Sequence, residues 1–148
     1  MNFMLEAYKE AVKARDIDEV PVGCVIVKDN KIIARAHNLK EKETNVISHA
    51  EINAIRKATK KLKSMYLIDC DMYVTLEPCT MCAGAIIHSR LHKVYFGAYD
   101  FKTGAIETKD NILDKEYHNH HTLHEGGVMR DECSKILTDY FKGKRGKQ

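Results

Sequence analysis

The sequence predicts an α/β protein in three layers, a central five-stranded mixed sheet with helices on both faces, in one domain spanning residues 1–148. Three observations carry this expectation. Short β-branched runs alternate with longer stretches whose apolar residues recur at helical spacing. Two of the runs flank Asp29-Asn30, a hairpin turn, while others are far enough apart for crossover connections, so antiparallel and parallel pairs share the sheet. A chain of 148 residues buries roughly two-thirds of its surface, enough for a real core. It shows no repeat, linker or low-complexity stretch.

Residues 2–14 place Phe3, Met4, Ala7, Tyr8, Ala11 and Val12 on one stripe, the mark of a helix with one buried face. After a charged loop, Pro21 to Val27 reads as a buried strand and Lys31 to His37 as its hairpin partner. Asn38 to Asn45 is polar and is expected as a loop at the sheet's end. A helix is expected from His49 to about Lys61, and a third strand from Met72 to Leu76. Glu77 leads into a helix from Pro78 to about Ser89, with Pro78 in the first turn, where its missing N–H costs nothing. Val94 to Ala98 is the fourth strand. Residues 100–120 are punctuated by Gly and charge, with one short helix near Asn111-Ile112-Leu113. His121 to Glu125 reads as the fifth strand, Gly126-Gly127 breaks it, and Met129 to Phe141 returns to helix.

The composition, 44% hydrophobic and 30% charged, is ordinary for a soluble globular protein, and no apolar run approaches the ~20 residues of a membrane span. The first residues lack a basic stretch and place Glu6 where a signal peptide would be apolar. Five cysteines without an export signal point to thiols in a reducing compartment, so a cytoplasmic location is expected. Cys24, Cys70 and Cys133 stand in apolar or helical contexts and read as buried small hydrophobes. The net charge of +3 is uneven: Ser134 to Gln148 carries +4, leaving about −1 for everything before it. A basic C-terminal helix and tail attracts phosphates, although a solubilising end has the same composition.

Two short pieces carry chemistry, His49-Ala50-Glu51 and Pro78-Cys79-Thr80-Met81-Cys82. They supply an imidazole, a carboxylate and two thiols, a set that suits zinc and a proton carrier. At about 100° per residue, His49 and Glu51 would point in nearly opposite directions from a mid-helix segment, so they serve one site only at a helix tip. Two helix N-termini are therefore expected to converge on one metal. Three ligands, His49, Cys79 and Cys82, leave a fourth position open, as in a catalytic zinc site rather than a closed structural one. A redox pair is disfavoured because the proline precedes the cysteines and a His-x-Glu lies upstream. Ser48-His49-Ala50-Glu51 also fits a capping box, in which Glu51 would only satisfy its own helix end. Beside the cysteine motif, Glu51 reads better as the group that takes a proton from water and delivers it to a ring nitrogen and then to a departing amine. The cluster His118, His120, His121 and His124 is too irregular to read as a second metal site.

His-x-Glu followed by Pro-Cys-x-x-Cys is the signature of zinc nucleobase deaminases. The sequence resembles the bacterial tRNA-specific adenosine deaminases, within the cytidine and deoxycytidylate deaminase superfamily, over nearly its whole length. Besides the two motifs it has Pro21-Val22-Gly23-x-Val25-Ile26-Val27, Thr75-Leu76-Glu77, Cys82-Ala83-Gly84-Ala85-Ile86-Ile87-His88-Ser89-Arg90 and Phe96-Gly97-Ala98-x-Asp100-x-Lys102-Thr103-Gly104. It ends with Asp139-Tyr140-Phe141 and basic residues. The zinc motif alone also fits cytidine, cytosine, guanine and dCMP deaminases; Ala-Gly-Ala, Asp-x-Lys-Thr-Gly and the aromatic-basic end are more specific to the tRNA branch. Tyr99, Leu39 and the 105–117 stretch depart from the usual pattern.

The resemblance implies a cytidine-deaminase-like α/β/α fold, one Zn²⁺ per subunit and a homodimer whose tRNA anticodon-loop site borrows from both subunits. It implies conversion of a wobble adenosine, chiefly of an arginine tRNA, to inosine. Asn38 matches a residue that holds the target nucleoside, Asp100 and Lys102 match residues against flanking nucleotides, and His120 matches a histidine near the loop. An anticodon loop presents splayed bases, so no duplex need be melted. Tyr140 and Phe141 suit stacking or wedging, and Lys142, Lys144 and Arg145 suit phosphates. Each has a plainer alternative: Asn38 closing a loop, Asp100 capping a helix, Phe141 packing in a core. The competing functions are a deaminase of a free base or nucleotide, and a non-catalytic RNA-binding protein stapled by structural zinc.

Overall fold

The structure is a computed structural model and describes residues 1–145, the last by its backbone alone. Its sheet has the order β2-β1-β3-β4-β5, formed by β1 (Gly23–Lys28), β2 (Lys31–His37), β3 (Cys70–Leu76), β4 (Lys93–Ala98) and β5 (Leu123–Glu125). β1 pairs antiparallel with β2 and with β3, whereas β3–β4 and β4–β5 are parallel, so the sheet is mixed as expected. Asp29 and Asn30 both adopt positive φ, the twist that a two-residue hairpin needs.

α1 (Phe3–Asp16) starts at Asn2, whose Oδ1 accepts the Leu5 N–H at 3.1 Å, and buries Met4, Ala7, Ala11 and Ala14. It crosses the sheet directly over Gly23, where a Cβ would collide with the backbone at Ala7 and Ala11. α5 (Arg130–Arg145) packs on β4 beside α1, while α3 (Ala50–Leu62) and α4 (Thr80–His88) pack against each other, α3 also covering β1 and β2. Ile26, Met72, Ile86 and Phe96 are fully buried between the layers, each stabilising the fold by roughly 1.5–3 kcal/mol. Cys24, Cys70 and Cys133 lie in this core as free thiols.

Four boundaries differ from the sequence expectation. Residues 38–45 contain a single helical turn, α2 (Lys40–Glu43), because the buried Glu19 carboxylate accepts the Glu41 and Lys42 N–H groups from outside the segment. Pro78 stands before α4, not in its first turn: the extended Cys79 is the N-cap, and Pro78 offers its carbonyl to Ala105 N–H. β5 keeps only three residues, the Thr122 hydroxyl donating to Leu91 O and the His121 ring reaching Lys115 O instead of extending the strand. α5 continues past Phe141 to Arg145, where Lys144 reaches Asp18. The expected short helix is present as a 3₁₀ turn, η1 (Ile112–Asp114).

Candidate active site

In open α/β sheets, ligands gather outside the carboxyl ends of parallel strands. Here β3 and β4 end at Leu76 and Ala98, and the bond from Glu77 N–H to Ala98 O extends the ladder by one step. Beyond it lies a cavity of about 600 Å³, lined by His49, Glu51 and Cys79, by Asn38 and Lys40, by Tyr99 to Thr103, and by Leu137, Thr138 and Phe141 of α5.

His49 is the N-cap of α3 and Glu51 its second residue; Cys79 is the N-cap of α4 and Cys82 its third residue. The two helix tips do converge. His49 Nδ1 lies 3.8 Å from Cys79 Sγ and 3.5 Å from Cys82 Sγ, and the three ligand atoms fall within 4.8 Å of one another. A tetrahedral zinc with bonds of about 2.3 Å to sulfur and 2.05 Å to nitrogen requires N···S edges of about 3.6 Å, so the donors fit. Helix N-termini favour thiolates. A hydrogen bond from the Cys82 thiol, aided by His49, outweighs burial and brings Cys79 down to about 4; the same bond, burial and the Glu51 charge push Cys82 up. The bond to Cys79 raises His49.

Glu51 is 4% exposed. Burial pushes its carboxyl up to about 7, against the pull of its own amide and of His49. The capping box does not form: His49, not Ser48, is the N-cap, and the Ser48 hydroxyl donates instead to Glu43 Oε1 at 2.6 Å. The helix end is satisfied from elsewhere, by Asn38 Oδ1, which accepts the Ala50 N–H at 2.7 Å.

The remaining residues singled out in the sequence divide. Asn38, Asp100, Lys102 and Phe141 line the cavity. Asn38 uses its oxygen on Ala50, which leaves its amide N–H₂ to the cavity. The Asp100 carboxylate is spent on its own turn, accepting from Lys102 N–H, Thr103 N–H and the Thr103 hydroxyl; it closes a turn rather than capping a helix, its plainer alternative. His120 is not brought to the cavity: its Nε2 lies 2.8 Å from Leu91 O, at the opposite end of β4. Tyr140 and Lys144 turn away to Asp18, the hydroxyl bonding its carbonyl at 3.2 Å and the ammonium its carboxylate at 2.6 Å. The Arg145 side chain lies outside the described part of the structure.

The family model of the cytidine and deoxycytidylate deaminase zinc-binding region matches residues 1–98. The chain belongs to that family. The deaminase is 47% identical over 146 residues to a tRNA-specific adenosine deaminase of Bacillus subtilis, covering 99% of this chain and 91% of that one. A solved structure from work on A-to-I editing by tRNA:A34 deaminases at the wobble position superposes with a TM-score of 0.88 at 41% identity, covering 91% of this chain and 98% of the other. A guanine deaminase of Bacillus subtilis is more distant, with a TM-score of 0.65 at 30% identity over 97% of this chain and 92% of that one. No described helix is long and apolar enough to cross a membrane.

Several residues that line the deaminase's cavity or hold its walls escaped sequence reasoning. Lys40 sits in what read as a loop. Glu77 stood in a family stretch without a role of its own and Glu19 was not singled out, yet they are 2% and 1% exposed and hold the segments on which Asp100 to Thr103 and Lys40 stand. The available signal was position: each is an acidic residue at the edge of an apolar strand run, one or two residues before a proline.

Proposed function

We propose that the deaminase hydrolyses the 6-amino group of a tRNA wobble adenosine, chiefly in an arginine tRNA, to give inosine and ammonia. The observation that carries the chemistry is the placement of Glu51, buried and free of a capping box, beside the His49–Cys79–Cys82 donor set on the cavity. When bound, zinc supplies a Lewis acid that lowers the pKa of water toward neutrality. Glu51 takes a proton from the attacking water and delivers it to the ring nitrogen next to the reacting carbon. The second water proton follows the same carboxylate to the amine, the C–N bond breaks, and a C=O bond remains. Asn38 N–H₂ orients the nucleoside, and Phe141 bounds the pocket from α5.

The polynucleotide substrate is supported by the cavity's rim. Among the described residues, Lys40 and Lys102 both line it and neither ammonium has a carboxylate partner, which suits phosphates flanking the target base. The two more similar relatives named above are tRNA deaminases, whereas the more distant one is a guanine deaminase, and the rim favours the tRNA substrate over a free base. We further propose a homodimer, a cytoplasmic location and a single domain over residues 1–148. The test is incubation with an arginine-tRNA anticodon stem-loop and sequencing for inosine at the wobble position. Glu51→Ala should retain zinc and RNA binding while losing deamination by roughly three orders of magnitude or more. Robust turnover of guanine or cytosine with none of the stem-loop would favour a free-base enzyme, and salt-dependent RNA binding without product would favour a binding module.

A further inference from the structure

Glu77 is a buried carboxylate that neither the zinc donor set nor the proton relay uses. One oxygen, Oε1, accepts the Asp100 N–H at 3.1 Å and the Thr108 hydroxyl. The other, Oε2, accepts the N–H groups of Ile106, Glu107 and Thr108 at 3.1, 2.8 and 3.0 Å. Every one of these donors belongs to the segment 100–108, which otherwise has no strand or helix to satisfy its backbone. Stripped of that acceptor, the buried Ile106 N–H would be orphaned at a cost comparable to a lost hydrogen bond, and three part-buried N–H groups would lose their partner. Gly104 closes on the same carboxylate: a Cβ there would collide with Glu77 Oε1 and Cδ. Two residues along the chain stands Cys79, and Pro78 between them accepts the Ala105 N–H at 3.0 Å. Glu77 thus sits between a metal donor and the wall that presents Asp100 to Thr103 to the cavity.

We infer that Glu77 is a positioning residue: its carboxylate fixes the 100–108 segment, and so the substrate wall, at a set distance from the zinc donors. Both of its carboxylate oxygens are taken up by that segment, so it acts through the wall rather than on substrate or metal directly. The alignment matters because a bound nucleotide must meet Glu51 and the donor set on one side and this wall on the other, and misplacement by about 1 Å is enough to weaken a reactive geometry by orders of magnitude. This inference rests on the proposed action on an anticodon loop for its kinetic part only.

Glu77→Leu removes both acceptors. Glu77→Gln keeps one carbonyl oxygen for the three N–H groups at Oε2, and its amide can donate to the Thr108 hydroxyl, so only the Asp100 N–H loses its partner. On the anticodon stem-loop, Glu77→Leu should raise KM on the order of tenfold, moving kcat less, with Glu77→Gln intermediate. Zinc content should stay at that of the wild type. Hydrogen exchange should accelerate at the amides of 100 and 106–108 in Glu77→Leu and at that of 100 alone in Glu77→Gln, an effect that needs no turnover. If Glu77→Leu does not fold, Gly104→Ala should push the segment off the carboxylate and reproduce the KM and exchange changes. Unchanged exchange and unchanged KM in a folded Glu77→Leu would overturn the inference. So would loss of zinc and of kcat with KM unmoved, which would place Glu77 with the metal instead. A wild type inert on the stem-loop would overturn the proposed substrate, and the exchange measurement would still decide the role of Glu77.

Discussion

Glu10 offers a quantitative test of how the sheet end that carries Asn38 is held. Its side chain is 5% exposed on the sheet-facing side of α1, with His37 Nδ1 at 2.9 Å and Lys13 Nζ at 2.7 Å. Burial alone would raise its carboxyl; the bonds to His37 and Lys13 win and hold it at about 2 against an ordinary 4.5. A group depressed on folding contributes stability that is complete above its unfolded pKa and is lost as pH falls through the folded value. The window is therefore pH 4.5 down to about 2, and the span between the two pKa values corresponds to about 3 kcal/mol. Glu10→Gln should destabilise the protein at pH 6 by an amount of that order, and by progressively less at pH 4 and pH 3, as the wild type loses its own advantage. Urea unfolding of both proteins at each pH measures this, and the difference between them cancels contributions they share, such as metal release. An equal loss at pH 6 and pH 3 would refute the electrostatic account and leave only a packing role. Because His37 directly precedes Asn38, the same variant should also weaken substrate binding modestly, read as a rise in KM.

Asn38 separates its two duties by substitution: Asn38→Asp keeps an oxygen for the Ala50 N–H and should leave stability near wild type while raising KM, whereas Asn38→Ala should cost a further ~1 kcal/mol in urea unfolding. Gly23→Ala places a methyl against α1 backbone and should destabilise by about 3 kcal/mol or more, a loss that thermal unfolding will show as a large fall in Tm. Chelation should abolish deamination and lower Tm, and free zinc at about 1,000 times its Kd should restore roughly 4 kcal/mol of stability; a Tm indifferent to metal would deny that His49, Cys79 and Cys82 share an ion.

The readable parts of this chain were those where local chemistry dictates local geometry. Apolar period gave α1 its buried stripe, Asp29-Asn30 gave the hairpin, and the conflict between His49 and Glu51 on a helical wheel forced both to a helix tip. The zinc donors were legible because coordination restricts residue type and spacing. What stayed hidden depends on partners distant in sequence. α2 forms because Glu19 caps it from about twenty residues away, and the 100–108 segment is ordered by Glu77 without any local pattern. The placement of His120 was hidden for a related reason: a family match assigns a role, but nothing near His120 in sequence reveals its bond to Leu91 at the far end of β4. The bonds of Tyr140 and Lys144 to Asp18 were hidden as well, because nothing in α5 itself reveals Asp18.

The Asp18 contact changes how the basic end of the chain would respond to an RNA ligand. A lysine that is free in the unbound protein neutralises a phosphate and sets one condensed cation loose, and each such event steepens the salt dependence of binding. Lys144 is not in that condition. A phosphate that captures it must first break the 2.6 Å ion pair with Asp18, so the exchange yields less than a full step of ion release. Counting α5 lysines would therefore overestimate the slope of log K against log salt. Asp18→Asn should make that slope steeper by about 0.7 for a single-stranded loop, with a stability change below ~1 kcal/mol. The helix would then behave as an ion exchanger with one site already loaded.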